Sequence, residues 1–417
     1  MNRKLIWLIF IVMALLMAGC WGSDDNSSSA KNNDGYNDQY DYTNGTLDFP
    51  ALNNFGIVAL NNTGSICILD GNALKISEPL LNHEFGSYGG GLFDVAITPD
   101  GKTAMVSNFG DSTVYFIDTS NPSMPHVKGS VQIDFFAEDI AVTPNGKYLL
   151  VTNGGFASRI AVVDIEGQTM IKSDAPKDTL YHNAVSVSPD GRTVLTADYF
   201  AGRVNVFTLS SYGKLTYRKT IDLVEGEADF EDPRPVNLEI SPDGKTVIVA
   251  SATAPLVFPI LTIQGPGDVV LSDIVKQNAG LRGAQSVAFN RAGTKAYLHC
   301  VTPFPDGIGL TYDGNAIAEL QKNFMGKWEV SQIIPVNFYG TSQLFGVDTL
   351  AINDTNGYLY VSNPTLSGGT PYVQVVDVNQ GKVIKTLKTE NAEDDPFPPF
   401  DPDTMSIPTG ITFWNKR

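Results

Sequence analysis

The side chains best placed for chemistry in this 417-residue chain are polar groups that open short alternating apolar runs: Asp94, Glu138, Asp139, His182, Asn183, Asn237, Gln285 and Asp348, with Ser286 and Thr409 in matching places. Carboxylates and amides are hard oxygen donors, suited to Ca2+ or Mg2+ rather than to a soft metal. Asp94, Asp139 and Asp348 are the candidate ligands for such an ion. A polar group leading an inner strand has no apolar layer to join, so it must meet water, another polar group or a ligand. His182 is the one histidine of four in such a place; the others are His83, His126 and His299. The chain has no Gly-x-Ser-x-Gly elbow, no His-Glu-x-x-His pair, no phosphate loop and no Cys-x-x-Cys-His. Ion or protein binding and metal-assisted hydrolysis are the chemistries left open. A water-filled channel lined by hydrogen-bonded polar groups is the plain alternative.

The elements that hold these residues come from internal repetition. Asp94-Val95-Ala96-Ile97-Thr98-Pro99-Asp100-Gly101-Lys102 returns as Asp139-Ile140-Ala141-Val142-Thr143-Pro144-Asn145-Gly146-Lys147. It returns again around Pro189-Asp190-Gly191 and Pro242-Asp243-Gly244, and more loosely at Gly293 and Gly357. One unit is an alternating strand, a tight turn in which proline pre-sets φ and glycine takes φ > 0, and a second strand such as Tyr148 to Thr152. A third strand, such as Thr113 to Asp118, and a shorter fourth, such as Leu215 to Asp222, complete it. Four antiparallel strands in a unit of about 45 residues is the signature of a β-propeller blade. Six units begin near residues 93, 138, 184, 236, 285 and 348. The seventh is divided between the ends: residues 56–61 and 65–70 read as second and third strands, and 409–414 as their missing first strand. Pairing the ends closes the ring and removes two open sheet edges. The fold class expected is therefore all-β, a seven-bladed propeller over residues 51–417. Asp70, Asp118, Asp164 and Asp377, at third-strand ends, read as turn-capping carboxylates. Cys67 and Cys300 lie in non-adjacent blades and read as buried free thiols.

Tyr148-Leu149-Leu150-Val151-Thr152-Asn153 and Leu359-Tyr360-Val361-Ser362-Asn363 resemble the YVTN repeat, and Met105-Val106-Ser107-Asn108 is a looser copy. With the Pro-Asp-Gly turns they make residues 56–414 similar to the YVTN and lactonase-like bacterial seven-bladed propellers. The resemblance implies architecture more than activity, since this fold carries many functions. Lactonase-like enzymes place several basic or histidine residues around the channel. Here only His182 stands there, with Arg234 and Arg282 at other blade entries.

The first residues carry an address. Asn2-Arg3-Lys4 precedes an apolar run from Leu5 to Ala18, the form of a secretory signal. The run ends in Leu16-Met17-Ala18-Gly19-Cys20, which resembles a bacterial lipoprotein box. The resemblance implies cleavage after residue 19, lipid on Cys20 and membrane anchorage through that lipid. Trp21 follows the cysteine, where an aspartate would favour inner-membrane retention. The outer membrane or cell surface is thus the expected location in the envelope. Residues 20–50 hold runs such as Ser27-Ser28-Ser29 and Asn32-Asn33-Asp34-Gly35, too polar to bury a core, and read as a tether.

Formal charge is −17, which excludes nucleic acid, whose phosphates need a basic patch. Acidity collects in long insertions, Glu225 to Asp232 and Glu390 to Asp403, that join blades on the same face as the strand-leading residues. Elaborated loops on one face of a regular scaffold are the usual seat of function. The expectation is a binding or scaffold propeller, more a binder than an enzyme, whose acidic face takes a metal ion or a cationic protein. The alternative is a metal-assisted, lactonase-like hydrolase with its site at the channel.

Overall fold

A computed structural model describes residues 54–415 apart from 62, 82–83, 86–90, 155–158, 172–181, 224–233, 252–256, 277–282, 301–315, 337–348, 364–371 and 390–407. The leader, Cys20 and the 20–50 stretch lie outside the described residues, as do Asp348, His83, Arg282 and the two acidic insertions. The blades fall within one compact unit spanning Asp41–Arg417.

Among the described residues, 28 strands form seven four-stranded antiparallel sheets, and there is no helix. Blade 1 carries Phe55–Leu60, Ser65–Asp70 and Lys75–Ile76, with Pro408–Phe413 as its innermost strand. Blades 2 to 7 span 92–132, 137–171, 184–222, 235–276, 284–335 and 350–388. The expected joining of the ends is present: Gly56 pairs with Phe413 and Val58 with Ile411. Sheets of neighbouring blades pack face to face, so every core cluster joins residues from at least two blades. Met105 and Phe116 of blade 2, for example, meet Leu149 and Val163 of blade 3.

The turn chemistry repeats as its residues require. In blade 2 the Thr98 hydroxyl donates to Asp100 Oδ1 at 2.6 Å and accepts the N–H of Thr103 at 3.1 Å. Asp100 Oδ1 also accepts the Lys102 N–H. Thr143 with Asn145, Ser188 with Asp190 and Ser241 with Asp243 do the same in blades 3, 4 and 5. Gly101, Gly146, Gly191 and Gly244 all sit at φ between 68° and 72°, the left-handed region that only glycine enters freely. The proline has a second duty. A methyl group added to Gly146, Gly191, Gly244 or Gly293 would lie 3.4 to 3.7 Å from the ring of Pro99, Pro144, Pro189 or Pro242, so each blade's proline sits beside the next blade's turn glycine. At Gly101 the neighbour is Trp414, whose indole N–H donates to the Pro99 carbonyl at 3.0 Å.

The third-strand carboxylates cap turns as expected. Asp70 accepts from Asn72 and Ala73, Asp118 from Ser120, Asp164 from Gly167, and Asp377 from Asn379 and Gln380, all backbone N–H groups. Cys67 and Cys300 are free and fully buried. Burial pushes both thiols up, that of Cys300 to about 12, where they are inert.

Candidate functional site

The inner strands run from the channel mouth to the Pro-Asp-Gly face, so their leading residues gather at the mouth. Asp94, Glu138, Asp139, His182, Asn183, Asn237 and Gln285 are all buried, none more than 4% exposed. A group that leaves water so completely needs partners. Sequence reading offered water, one another or a ligand. The structure adds a fourth partner, the backbone of the next blade.

Asp94 Oδ2 of blade 2 accepts the N–H of Ile140 in blade 3 at 3.3 Å. Asp139 of blade 3 accepts the N–H of Val185 in blade 4 at 2.6 Å, and its other oxygen accepts the Ile140 N–H at 2.8 Å. Asn183 of blade 4 donates to the carbonyls of Pro235 and Val236 in blade 5, at 3.1 and 2.7 Å. Second strands contribute the same kind of link. The Ser107 hydroxyl donates across the 2–3 junction to the Glu138 carbonyl at 2.5 Å, and that of Ser362 across the 7–1 junction to Thr409 at 2.7 Å. Thr409 reaches the Leu92 carbonyl of blade 2 at 3.1 Å. The mouth is thus laced by polar groups that fasten one wedge to the next.

Two positions show how tightly they fit. A side-chain carbon at Gly410 would lie 2.5 Å from Asp94 Oδ1, so the closing strand leaves the space that the carboxylate fills. A side-chain carbon at Gly154 would lie 2.4 Å from the Phe109 ring and 3.2 Å from Glu138 Oε2. Phe109 in turn stacks on Phe136, with centroids 4.8 Å apart and planes 13° apart, and leans on Phe93 at 5.6 Å. Phe136 is 44% exposed, so this aromatic row comes to the surface beside the buried Glu138. Around the ring, Tyr199 meets Phe200 edge-on, and the exposed Arg234 guanidinium lies 5.8 Å from the Tyr199 ring.

His182 is fully buried, with Nδ1 2.8 Å from the Thr196 hydroxyl and its ring edge toward Phe207. Burial drives its pKa down to about 3, so it is neutral near pH 7. The structure adds a second inner histidine. His299 is buried in the second strand of blade 6, with Nδ1 3.0 Å from the Thr349 hydroxyl at the entry to blade 7, and burial lowers it to about 4. Repeat alignment holds the signal for it. The fifth residue of the second strand is Ser107, Thr152, Ala197, Ala250, His299 and Ser362 in blades 2 to 7, so one large ring stands where small residues are the rule.

Among the described residues no group of three or more His, Cys, Asp or Glu side chains could hold a metal ion. Of the three candidate ligands, Asp94 and Asp139 bond to backbone N–H groups, and Asp348 lies outside the described residues.

No family model matches the chain, and no curated protein does. Solved structures do. A protein of unknown function from Desulfotomaculum acetoxidans is 19% identical, with TM-score 0.67 over 86% of this chain and 98% of its own. The periplasmic gluconolactonase of Pseudomonas aeruginosa is 16% identical, with TM-score 0.61 over 86% and 99%. A candidate 6-phosphogluconolactonase of Bacteroides uniformis is 14% identical, with TM-score 0.59 over 86% and 99%. At these identities the likeness is one of fold. The chain is a seven-bladed β-propeller whose structural neighbours are lactonase-like propellers.

Proposed function

We propose that the chain is a binding module of the bacterial cell envelope, anchored through Cys20, whose channel-mouth face takes a cationic protein partner. The observation that carries this reading is the use made of the inner polar ring. Asp94, Asp139 and Asn183 are engaged with the backbone of the next blade, and His182 is held neutral against Thr196. Groups committed in this way serve assembly better than turnover. What remains at the mouth for a partner is the rim: the Phe109–Phe136 stack, the Arg234–Tyr199 pair, and the acidic insertions that connectivity assigns to this face. Exposed aromatic anchors set among charges suit protein recognition. Calorimetric titration with a small basic cytochrome tests the reading. Binding should weaken with added salt, because exposed pairs are screened beyond a Debye length of about 8 Å. It should weaken further when Glu225, Glu227 and Glu231 are changed together to Gln. Heat signals absent from the parent, or unchanged in the triple variant, contradict it.

The second reading is lactonase-like hydrolysis, with Ca2+ or Mg2+ held near the mouth by Asp348 and its neighbours. The fold neighbours favour it, since one is a gluconolactonase. Turnover of gluconolactone that chelation abolishes and Asp348→Asn removes would decide for it.

A further inference from the structure

The opposite face, built of the hairpin turns, has a character of its own. Among the described residues the most exposed large hydrophobic side chains are Phe324 at 96%, Met124 at 73%, Tyr212 at 70% and Met325 at 65%. All four sit in turns between third and fourth strands: Met124 in blade 2, Tyr212 in blade 4, and Phe324 with Met325 in blade 6. Third-to-fourth turns lie on the same face as the Pro-Asp-Gly turns, because strands alternate in direction within each sheet. Three alternate blades therefore end in an apolar tip on one face of the propeller. None of these residues has a packing duty. The Phe324 turn is held by Asn323, whose side-chain Oδ1 accepts the backbone N–H groups of Met325 and Lys327. No core cluster includes any of the four.

Widely spaced tips do not form the compact, buried centre that a protein interface needs. They do fit an extended plane that yields to small apolar wedges, which is what a lipid surface offers. Charge points the same way at the most exposed tip. Lys322 and Lys327 flank Phe324 and Met325 and are exposed, although the whole chain carries −17. Of the two carboxylates of that hairpin, Glu329 accepts from Asn323 and Glu319 is buried and paired with Lys295. Lysine beside an apolar wedge reaches for anionic headgroups while its stem stays in apolar surroundings. Lys214 stands two residues from Tyr212 in the same sense.

Chain direction supplies an independent argument. Phe55–Leu60 is a second strand, so it starts at the hairpin face, and Asn54 donates to Asn72 in a turn of that face. The first described residue, Asn54, thus stands on the side that carries the tips. We propose that the hairpin-turn face rests on an anionic bilayer, with Phe324 and Met325 seated among the headgroups and Met124 and Tyr212 as outer contacts. The channel mouth then points away from the membrane. This goes beyond the binding reading at the mouth; it rests on the proposed anchorage through Cys20 and not on the mouth's partner.

The test uses the full chain mixed with vesicles of phosphatidylethanolamine and phosphatidylglycerol. Met325→Cys is labelled with an environment-sensitive fluorophore, and Phe136→Cys on the opposite face is the control. Cys67 and Cys300 are buried and do not compete, and the labelled parent corrects for Cys20. The label at 325 should shift to the blue on vesicles and be quenched by spin-labelled lipid, while the label at 136 changes in neither respect. Changing Phe324 and Met325 together to Asp, with the reporter moved to Tyr212→Cys, should abolish the shift at 212. Sedimentation with the vesicles is read in parallel. A chain that sediments with no change at 325, one that responds equally at 325 and 136, or one that does not sediment at all overturns the proposal.

Discussion

Asp139 shows what the inner polar residues contribute. Its carboxylate accepts two backbone N–H groups, from Val185 across the blade junction and from Ile140 beside it, and no apolar residue of its size could satisfy either. Asp139→Ala should cost about 1–3 kcal/mol of unfolding free energy in denaturant titration, the cost of one buried orphan donor, since it strands the Val185 N–H while the Ile140 N–H keeps Asp94 Oδ2 at 3.3 Å. Asp139→Asn keeps one good acceptor and should cost less. Equal losses in both variants would mean that charge, rather than hydrogen bonding, matters there. The buried histidines give a pH signature. His182 and His299 fall from the ordinary 6.5 to about 3 and about 4 through burial. Between those values and 6.5 the unfolded chain binds protons that the folded chain refuses, so stability is full above about pH 6.5 and declines as pH falls toward 4. His182→Gln should flatten this decline in melting curves taken from pH 7 to 4. An unchanged slope would show that His182 is protonated in the folded state.

At the scale of elements, the closing strand decides whether the ring exists. Pro408–Phe413 brings Ile411 and Phe413 into the core with Tyr360 and Val58, and Trp414 covers the first turn of blade 2. Truncation before residue 408 should leave a chain that aggregates, and Phe413→Ala alone should cost about 3–5 kcal/mol. Gly410→Ala is the sharper probe, because its methyl would lie 2.5 Å from Asp94 Oδ1 and 2.6 Å from Asp94 Cα. Overpacking of about 1–3 kcal/mol is expected. A melting temperature equal to the parent's would mean that the closing strand sits further from blade 2. Much of this was legible in the repeats. The Pro-Asp-Gly turns, the strand alternation and the lone first strand at the end gave blade number and closure, because turn chemistry and period are local. The partners of Asp94 and Asp139 were not legible. They lie 46 residues on, in the next blade, and strand spacing within one sheet does not state the distance between sheets. His299 escaped because it lies inside a second strand, Lys295–Cys300, whereas the candidates were sought among residues that lead first strands.

The propeller has two unlike faces. One collects the blade entries and the aromatic row at Phe109 and Phe136. The other is short, regular turns, where proline lies beside glycine from blade to blade. A rigid ring fastened at both faces holds the rim in place, so that binding needs little reorganisation of the scaffold. The central claim is that recognition belongs to the mouth. Hydrogen–deuterium exchange of the full chain in solution, with and without a saturating basic protein partner, tests it most directly. Protection should rise in the blade connections at 224–233 and 390–407 and around Phe136, and stay unchanged at the turns of Gly101, Gly146, Gly191 and Gly244. Protection confined to those turns, or absent from both faces, would contradict the account.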